Sequence, residues 1–396
     1  MMQISPETQL FIREHSSDDV RALALQAKKY PDIDMPTAIT QIAGRKVAAE
    51  KIPSWWEIEK IWYPKHLSLE QCSSEITARY KARLLQGDSL TDLTGGFGID
   101  CSFLATGFKS ATYVERQEEL CEIAAHNFPV LNLNHINIRN EDGVAYLQAM
   151  SPVDCLFLDP ARRNEHGGKT VAISDCEPNV AELEELLLHK ANRVMIKLSP
   201  MLDLSLALKE LKHTQEVHIL SVNNECKELL ILLGQTSPSE ISIHCVNLST
   251  KGAQEEQHFV FTREQEQCSE CTYTDSLGTY LYEPNTSLLK AGAFRSIAAA
   301  YPVRKLHPNS HLYTSGTFIE NFPGRIFRIV NQCSFNKKEV KENLADLKKA
   351  NVTVRNFPAT VAELRKRIHL AEGGDTYLFA STLNNGQKVL IRCEKV

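Results

Sequence analysis

Ser89-Leu-Thr-Asp92-Leu-Thr94-Gly95-Gly96-Phe97-Gly98-Ile-Asp100 is the stretch that decides how this chain folds. A short apolar run ends in an acid, a glycine-dense turn follows, and the next residues read as a helix start. That is a strand feeding a tight loop at the edge of a parallel sheet. Such a loop brings backbone N–H groups close to a nucleotide-like ligand. Glycine is needed because a Cβ would block that approach and because tight turns use φ values other residues avoid. Spacing excludes two common loops. In G-x-G-x-x-G counted from Gly96, the third glycine would fall on Cys101. Counted from Gly95, the second falls on Phe97. Without Gly-Lys-Ser/Thr, the NTPase phosphate loop is excluded too.

Downstream the pattern alternates strand and helix. Strands are expected at 110–115, 136–140, 153–159 and 193–199, with helices at 117–127, 144–150 and 178–190 between them. Two further apolar runs, 216–222 and 228–233, are close enough for a hairpin, with Asn223-Asn-Glu-Cys-Lys227 as its turn. The fold class is therefore α/β, a Rossmann-like doubly wound sheet with helices on both faces.

The strand ends carry acids in order. Asp92 ends the first. Glu115 ends the second, about twenty residues on, where an acid accepts hydrogen bonds from ribose hydroxyls. Asp142 follows the third, suited to accept from an adenine amino group. Asp159-Pro160-Ala161-Arg162 ends the fourth. Ligands of this topology sit outside the carboxyl ends of the strands, so the four acids converge on one crevice. Each alone could be a helix N-cap.

Asp92 to Gly98, Asp-x-x-x-Gly-x-Gly, resembles motif I of the class I S-adenosylmethionine (SAM) methyltransferases. Asp159-Pro-Ala-Arg resembles the Asn/Asp-Pro-Pro-aromatic loop of N-methyltransferases, and more closely the Asp-Pro-Pro-Arg of uridine-C5 RNA methyltransferases. It departs from both at Ala161. The C5 enzymes need a cysteine after the fifth strand, and Leu198-Ser199-Pro200 stands there. N-methylation is therefore favoured over C5 chemistry. Pro160 stiffens the loop. Asp159 is suited to orient an N–H of the acceptor, and Arg162 and Arg163 to grip a neighbouring phosphate.

With Glu70-Gln-Cys-Ser-Ser-Glu, Ile196-Lys-Leu-Ser-Pro and Asn224-Glu-Cys-Lys-Glu-Leu added, the whole chain resembles one bacterial family. These are the class I SAM-dependent methyltransferases with a ferredoxin-like segment and a C-terminal α+β THUMP-like domain. The resemblance implies SAM as cofactor, held by Asp92, Thr94, Gly96, Gly98, Glu115 and Asp142. Ser68 to Gln71 fits a capping box, so a helix is expected to start there. In class I methyltransferases this position closes over the methionine end of SAM, which implies Gln71 and Ser74. THUMP domains elsewhere bind RNA, which makes structured RNA, tRNA or rRNA, the expected partner.

Charge fits that partner. The net charge is −5, yet residues 323–396 hold 14 Lys and Arg against 7 Asp and Glu. A basic end on an acidic body suits a polyanion. Lys337, Lys338 and Lys341 fall on one expected helix, 337–350, and Arg365, Lys366 and Arg367 end another. A cationic helix end also suits the helix dipole. This last segment reads β-α-β-α-β-β and is expected to fold as a unit. Two other readings stay open: a methyltransferase for a small molecule or protein, and a SAM-responsive RNA-binding protein without turnover.

The expected organisation is a helical region at 1–85, the methyltransferase domain at 86–275, the ferredoxin-like segment at 276–322 and the THUMP-like domain at 323–396. Residues 250–275 read as a polar linker or long hairpin. Trp55, Trp56, Trp62 and Tyr63 read as packing residues. No apolar run spans a bilayer, and no signal peptide is evident. Eleven scattered cysteines are expected to be reduced thiols in the cytoplasm. No metal is expected: Cys268-Ser-Glu-Cys271 lacks a second ligand pair, and Pro308 separates His307 from His311 on any helix face.

Overall fold

A computed structural model describes residues 4–162, 172–250 and 256–396. The chain forms two compact units, Met1–Gln215 with Leu229–Pro238, and Glu216–Glu228 with Ser239–Val396. No helix among the described residues is long and apolar enough to cross a membrane.

The first unit begins with helices at Pro6–Glu14, Val20–Leu25, Met35–Lys51, Pro53–Trp56, His66–Gln71 and Glu75–Ala82. Ser5, Asp19 and Asp34 accept from backbone N–H groups in the first turns and so start three of them. Phe11, Leu23, Met35, Ala38 and Ile42 form their own small core. Ile52, Trp55 and Tyr63 belong to another that includes Phe97 of the glycine loop. Trp55 meets the Phe97 ring edge-on at 5.2 Å, and Trp62 stacks on His126 at 3.7 Å. Trp55, Trp62 and Tyr63 pack, as expected; Trp56 is exposed.

The expected helix from Ser68 onward is two helices. One starts earlier, at His66, and ends at Gln71; the next runs Glu75–Ala82. Ser68 lies inside the first helix, so the proposed capping box does not form. The break at 72–74 places Ser73 inside, where its hydroxyl meets charged groups described below.

Five strands of this unit are parallel. Ser89–Asp92 lies between Ser110–Glu115 and Val153–Leu158; Ile136–Asn140 flanks the former and Ala191–Leu198 the latter. The antiparallel Leu229–Gly234 segment follows Ala191–Leu198. The chain thus runs outward in both directions from Ser89–Asp92, and the gap between the carboxyl ends of Ser89–Asp92 and Val153–Leu158 is the switch point. Leu156, Val194, Ile196 and Leu230 to Leu233 are fully buried.

In the second unit the turn after Val222 is two residues, not five. Asn223 and Asn224 take φ of 51° and 66°, and the next strand starts at Glu225. Asparagine tolerates this left-handed conformation, which a two-residue hairpin turn requires. The glutamine-rich stretch holds the strand Glu256–Thr262, antiparallel to Ser242–Leu248. Thr262 and Gln265 then form a capping box for the helix Arg263–Cys268.

The last 120 or so residues build one seven-stranded sheet. Gly324–Ser334 pairs with Tyr280–Pro284 on one side and with Lys388–Lys395 on the other. The β-α-β-α-β-β order from 324 onward is as expected, with the first helix ending early, at Leu344. The segment is not self-contained. Leu281, Leu306 and Leu312 share a core with Phe327, Phe379 and Ile391. The buried carboxylate of Glu283 also accepts hydrogen bonds from both Arg325 and Arg355.

Candidate active site

The glycine loop is held open by its backbone. Gly96 and Gly98 have φ of 54° and 86°, which L side chains rarely adopt. Gly95 is glycine for packing: a Cβ there would lie 2.2 Å from the Tyr113 ring. Glu115 grips the loop directly. Its Oε2 accepts the Gly96 N–H at 2.9 Å and its Oε1 the Gln117 N–H at 2.8 Å. Asp142 is exposed and caps the helix Gly143–Ala149 through Val144 and Ala145 N–H, both at 3.0 Å.

Asp92 is 1% exposed. Its Oδ1 accepts the Thr94 N–H at 3.0 Å, while Oδ2 has no hydrogen-bond partner among the described residues. Burial pushes its pKa up to about 8, with the Asp100 and Asp159 charges adding, against the Thr94 N–H and Lys197. An unsatisfied buried carboxylate oxygen is costly.

Asp159 stands across the switch point. Its N–H donates to Thr94 Oγ1 at 2.6 Å, tying the fourth strand's loop to the first. Its Oδ2 pairs with Lys197 Nζ, from the strand Ala191–Leu198. Lys197 also lies 3.3 Å from Asp100 Oδ2 and donates to Ser73 Oγ at 3.1 Å. Lys81, which is 0% exposed, pairs with Asp100 Oδ1 at 2.9 Å and donates to Ser73 at 2.8 Å. Ser73 donates to Asp100 Oδ2 at 2.7 Å. Burial alone would raise the Asp100 pKa, but Lys81 and Lys197 overcome it and hold it down to about 2. Two lysines and two aspartates thus alternate in one chain of ion pairs, Lys81–Asp100–Lys197–Asp159.

The structure therefore links Asp92 and Asp159 through Thr94, and separately Gly96 with Glu115, while Gly98 bonds Gly95 O within the loop. Pro160 is buried beside them in sequence. Ser74 lies next to Ser73 and its hydroxyl meets Thr77 Oγ1 at 3.2 Å; Gln71 is exposed at the end of its helix. Arg162 is in the short strand Ala161–Arg162, paired with Cys176. Arg163 lies outside the described residues. Ser199 follows the fifth strand and accepts the Met201 N–H at 3.3 Å, so no cysteine nucleophile stands at that place.

Sequence reading missed Ser73, Lys81, Asp100 and Lys197 as members of the site. One signal was present: Lys197 interrupts Arg193-Val-Met-Ile-Lys197-Leu, an otherwise apolar strand, and a lysine there must be paired. Lys81 and Ser73 carried none, because a lysine and a serine near a helix read as surface.

Comparison with known proteins agrees with this architecture. Residues 280–323 match a ferredoxin-like domain family and residues 324–395 a THUMP domain-like family. No curated protein matches the chain. Among solved structures, one described as a "putative methyltransferase" from Porphyromonas gingivalis W83 is 35% identical, with a TM-score of 0.88 and all of both chains covered. An rRNA methylase from Streptococcus thermophilus shares 14% identity over 40% of this chain and 93% of its own, with a TM-score of 0.29. A Streptococcus mutans protein in complex with SAH shares 12% over 40% and 96%, at 0.30. Neither of these two bears on substrate. At 35% identity over its full length, the chain belongs to the family of the Porphyromonas gingivalis protein, the bacterial class I methyltransferases with a ferredoxin-like segment and a C-terminal THUMP-like domain.

Proposed function

We propose that the protein is a SAM-dependent methyltransferase that methylates a nitrogen of structured RNA, tRNA or rRNA. The observation that carries the cofactor is Asp92 Oδ2, buried and unpartnered beside a loop of two positive-φ glycines. Asp92, Thr94, Gly96 and Gly98 would hold the cofactor's amino-acid end with Ser74 and Gln71, Glu115 its ribose and Asp142 its adenine. When bound, SAM supplies an electrophilic methyl group. The chain's part is alignment. Lys197 holds Asp159 Oδ2, which fixes the carboxylate and directs it at an acceptor N–H. Pro160 stiffens the loop, and Arg162 and Arg163 would take an adjoining phosphate.

Glu115→Ala should weaken SAM about 10–100-fold, because charge-assisted hydrogen bonds are worth about 1.5–3 kcal/mol. Calorimetric affinity unchanged in both Glu115→Ala and Asp142→Ala would remove this placement. Glu115→Ala also releases the Gly96 N–H and Asp142→Ala the Val144 and Ala145 N–H groups, so each affinity is read beside the variant's urea midpoint.

The RNA reading is supported by exposed cations. Lys337, Lys338, Lys341, Lys366 and Arg367 are all exposed, and no ion pair engages them among the described residues. Arg367 lies over the Phe335 ring at 4.3 Å. Arg365 is different: it is largely buried and bonds Ala350 O and Glu372, which favours a structural role. Because Gly324–Ser334 is paired within the sheet, removing residues 323–396 would open a core. Charge reversal is the better test. Lys337→Glu, Lys338→Glu and Lys341→Glu together should cut RNA affinity at least about tenfold and flatten the log–log salt slope by about 2, roughly 0.7 per lost phosphate contact on single strands. Filter-binding curves identical to wild type would leave these lysines as solvated surface. Mass spectrometry of nucleosides from RNA incubated with and without the protein and SAM tests the function as a whole. A new methylated base is expected; S-adenosylhomocysteine released without any modified nucleoside would point to another acceptor.

A further inference from the structure

Three histidines meet on strands of the second unit that the reading above does not use. His218 lies in the strand ending at Val222, directly opposite His244 of the parallel strand Ser242–Leu248. His258 lies in Glu256–Thr262, opposite Val246, one diagonal step from His244 on the same face. The rings form a row. His218 and His244 stack with centroids 4.3 Å apart, and His244 and His258 follow at 5.3 Å. His244 Nδ1 is 3.1 Å from His258 Nε2, and His218 Nε2 is 3.2 Å from Glu216 Oε2. One ligand atom from each of Glu216, His218 and His244 lies within 4.8 Å of the others.

This donor set has a specific chemistry. Three imidazoles and a carboxylate suit a borderline divalent ion, above all zinc. Bonds of about 2.0–2.1 Å in a tetrahedron put ligand atoms roughly 3.3 Å apart. Two of the spacings already match, His244 to His258 and His218 to Glu216. Imidazole ligates when neutral. The row is sealed at one end and open at the other: the His218 side chain is 3% exposed and that of His258 39%. An ion can therefore enter from the surface.

We propose that Glu216, His218, His244 and His258 bind a divalent transition-metal ion of the zinc class, which fastens three neighbouring strands together. The role is structural, because four protein ligands leave no open position for a substrate. Its residues are none of those assigned above to methyl transfer or to RNA.

The test uses the full chain and zinc chloride as probe. After equilibrium dialysis, elemental analysis should give about one zinc per chain. Cobalt substitution should give the visible absorption of a tetrahedral site. His244→Ala should lower zinc affinity at least about tenfold, since even outer-shell changes cost 10–100-fold. His258→Ala should do the same, and its exposure protects the fold. Cys268→Ser with Cys271→Ser should bind as wild type. Absence of bound zinc, or wild-type binding by both histidine variants, overturns the proposal. So does loss of binding in the cysteine variant alone, which would put the ion at the Cys268–Cys271 pair.

Discussion

Asp159→Ala should lower methyl transfer by about 10²-fold or more while SAM affinity changes little. The asymmetry follows from where Asp159 is held. Its backbone N–H is fixed by Thr94 Oγ1 at 2.6 Å, a bond that Ala retains. Its side chain is paired with Lys197, and removing it leaves Lys197 with Asp100 at 3.3 Å and Ser73 at 3.1 Å. The variant should therefore fold, and its loss reads alignment of the acceptor rather than collapse of the site. Asp159→Asn keeps an oxygen for an N–H donor and should fall between the two. Single-turnover transfer of labelled methyl to RNA gives the rate, and calorimetry the affinity. Equal loss of both would make Asp159 a cofactor or structural residue.

Lys81→Met should destabilise the first unit by about 3–5 kcal/mol, the usual cost of removing one member of a buried ion pair. Lys81 is fully buried, and its loss leaves Asp100, also buried, with fewer compensating charges. The change keeps the side chain's length and apolar stem, so the cavity contribution is small. Urea midpoints measure it. A double change of Lys81→Met with Asp100→Leu should cost less than the two single changes summed, because neither charge is then left alone. pH gives an independent check. The folded Asp100 pKa, about 2, lies below its ordinary 3.8. Its contribution to stability is complete above about pH 4 and is lost as pH falls toward 2. Lys81→Met should flatten that acid limb. A single-mutant loss below about 1 kcal/mol, with an unchanged limb, would place Lys81 among pairs that solvent already screens.

The glycine loop and the acids at the strand ends were legible because they follow from local rules. Asp92 and Glu115 end strands and Asp142 follows one in an alternating series, and parallel topology alone sends strand ends to one side. The second lysine–aspartate pair was not legible. Lys81 and Asp100 are 19 positions apart in sequence and Lys197 a further 97 beyond Asp100, and no local pattern relates them. The same holds for His218, His244 and His258, which sequence reading passed over while it weighed Cys268-Ser-Glu-Cys271 and His307 with His311. Pairing across three strands, not spacing along one, sets them side by side.

By itself the sequence determined the α/β class, the order of strands from Ser89 to Leu233, and the basic character of the C-terminal end. Periodicity, caps and turn residues act over a few residues, so they can be read there. Only the tertiary structure decided that the helix after Lys65 breaks at Ser73, that residues 276–322 and 323–396 share one sheet, and that Lys81 and Lys197 are buried against Asp100. Each depends on burial. A serine turns inward because charged groups need its hydroxyl, and a strand pairs with Tyr280–Pro284 because its exposed edge would otherwise be unsatisfied. A lysine is tolerated inside because Asp100 is there to meet it.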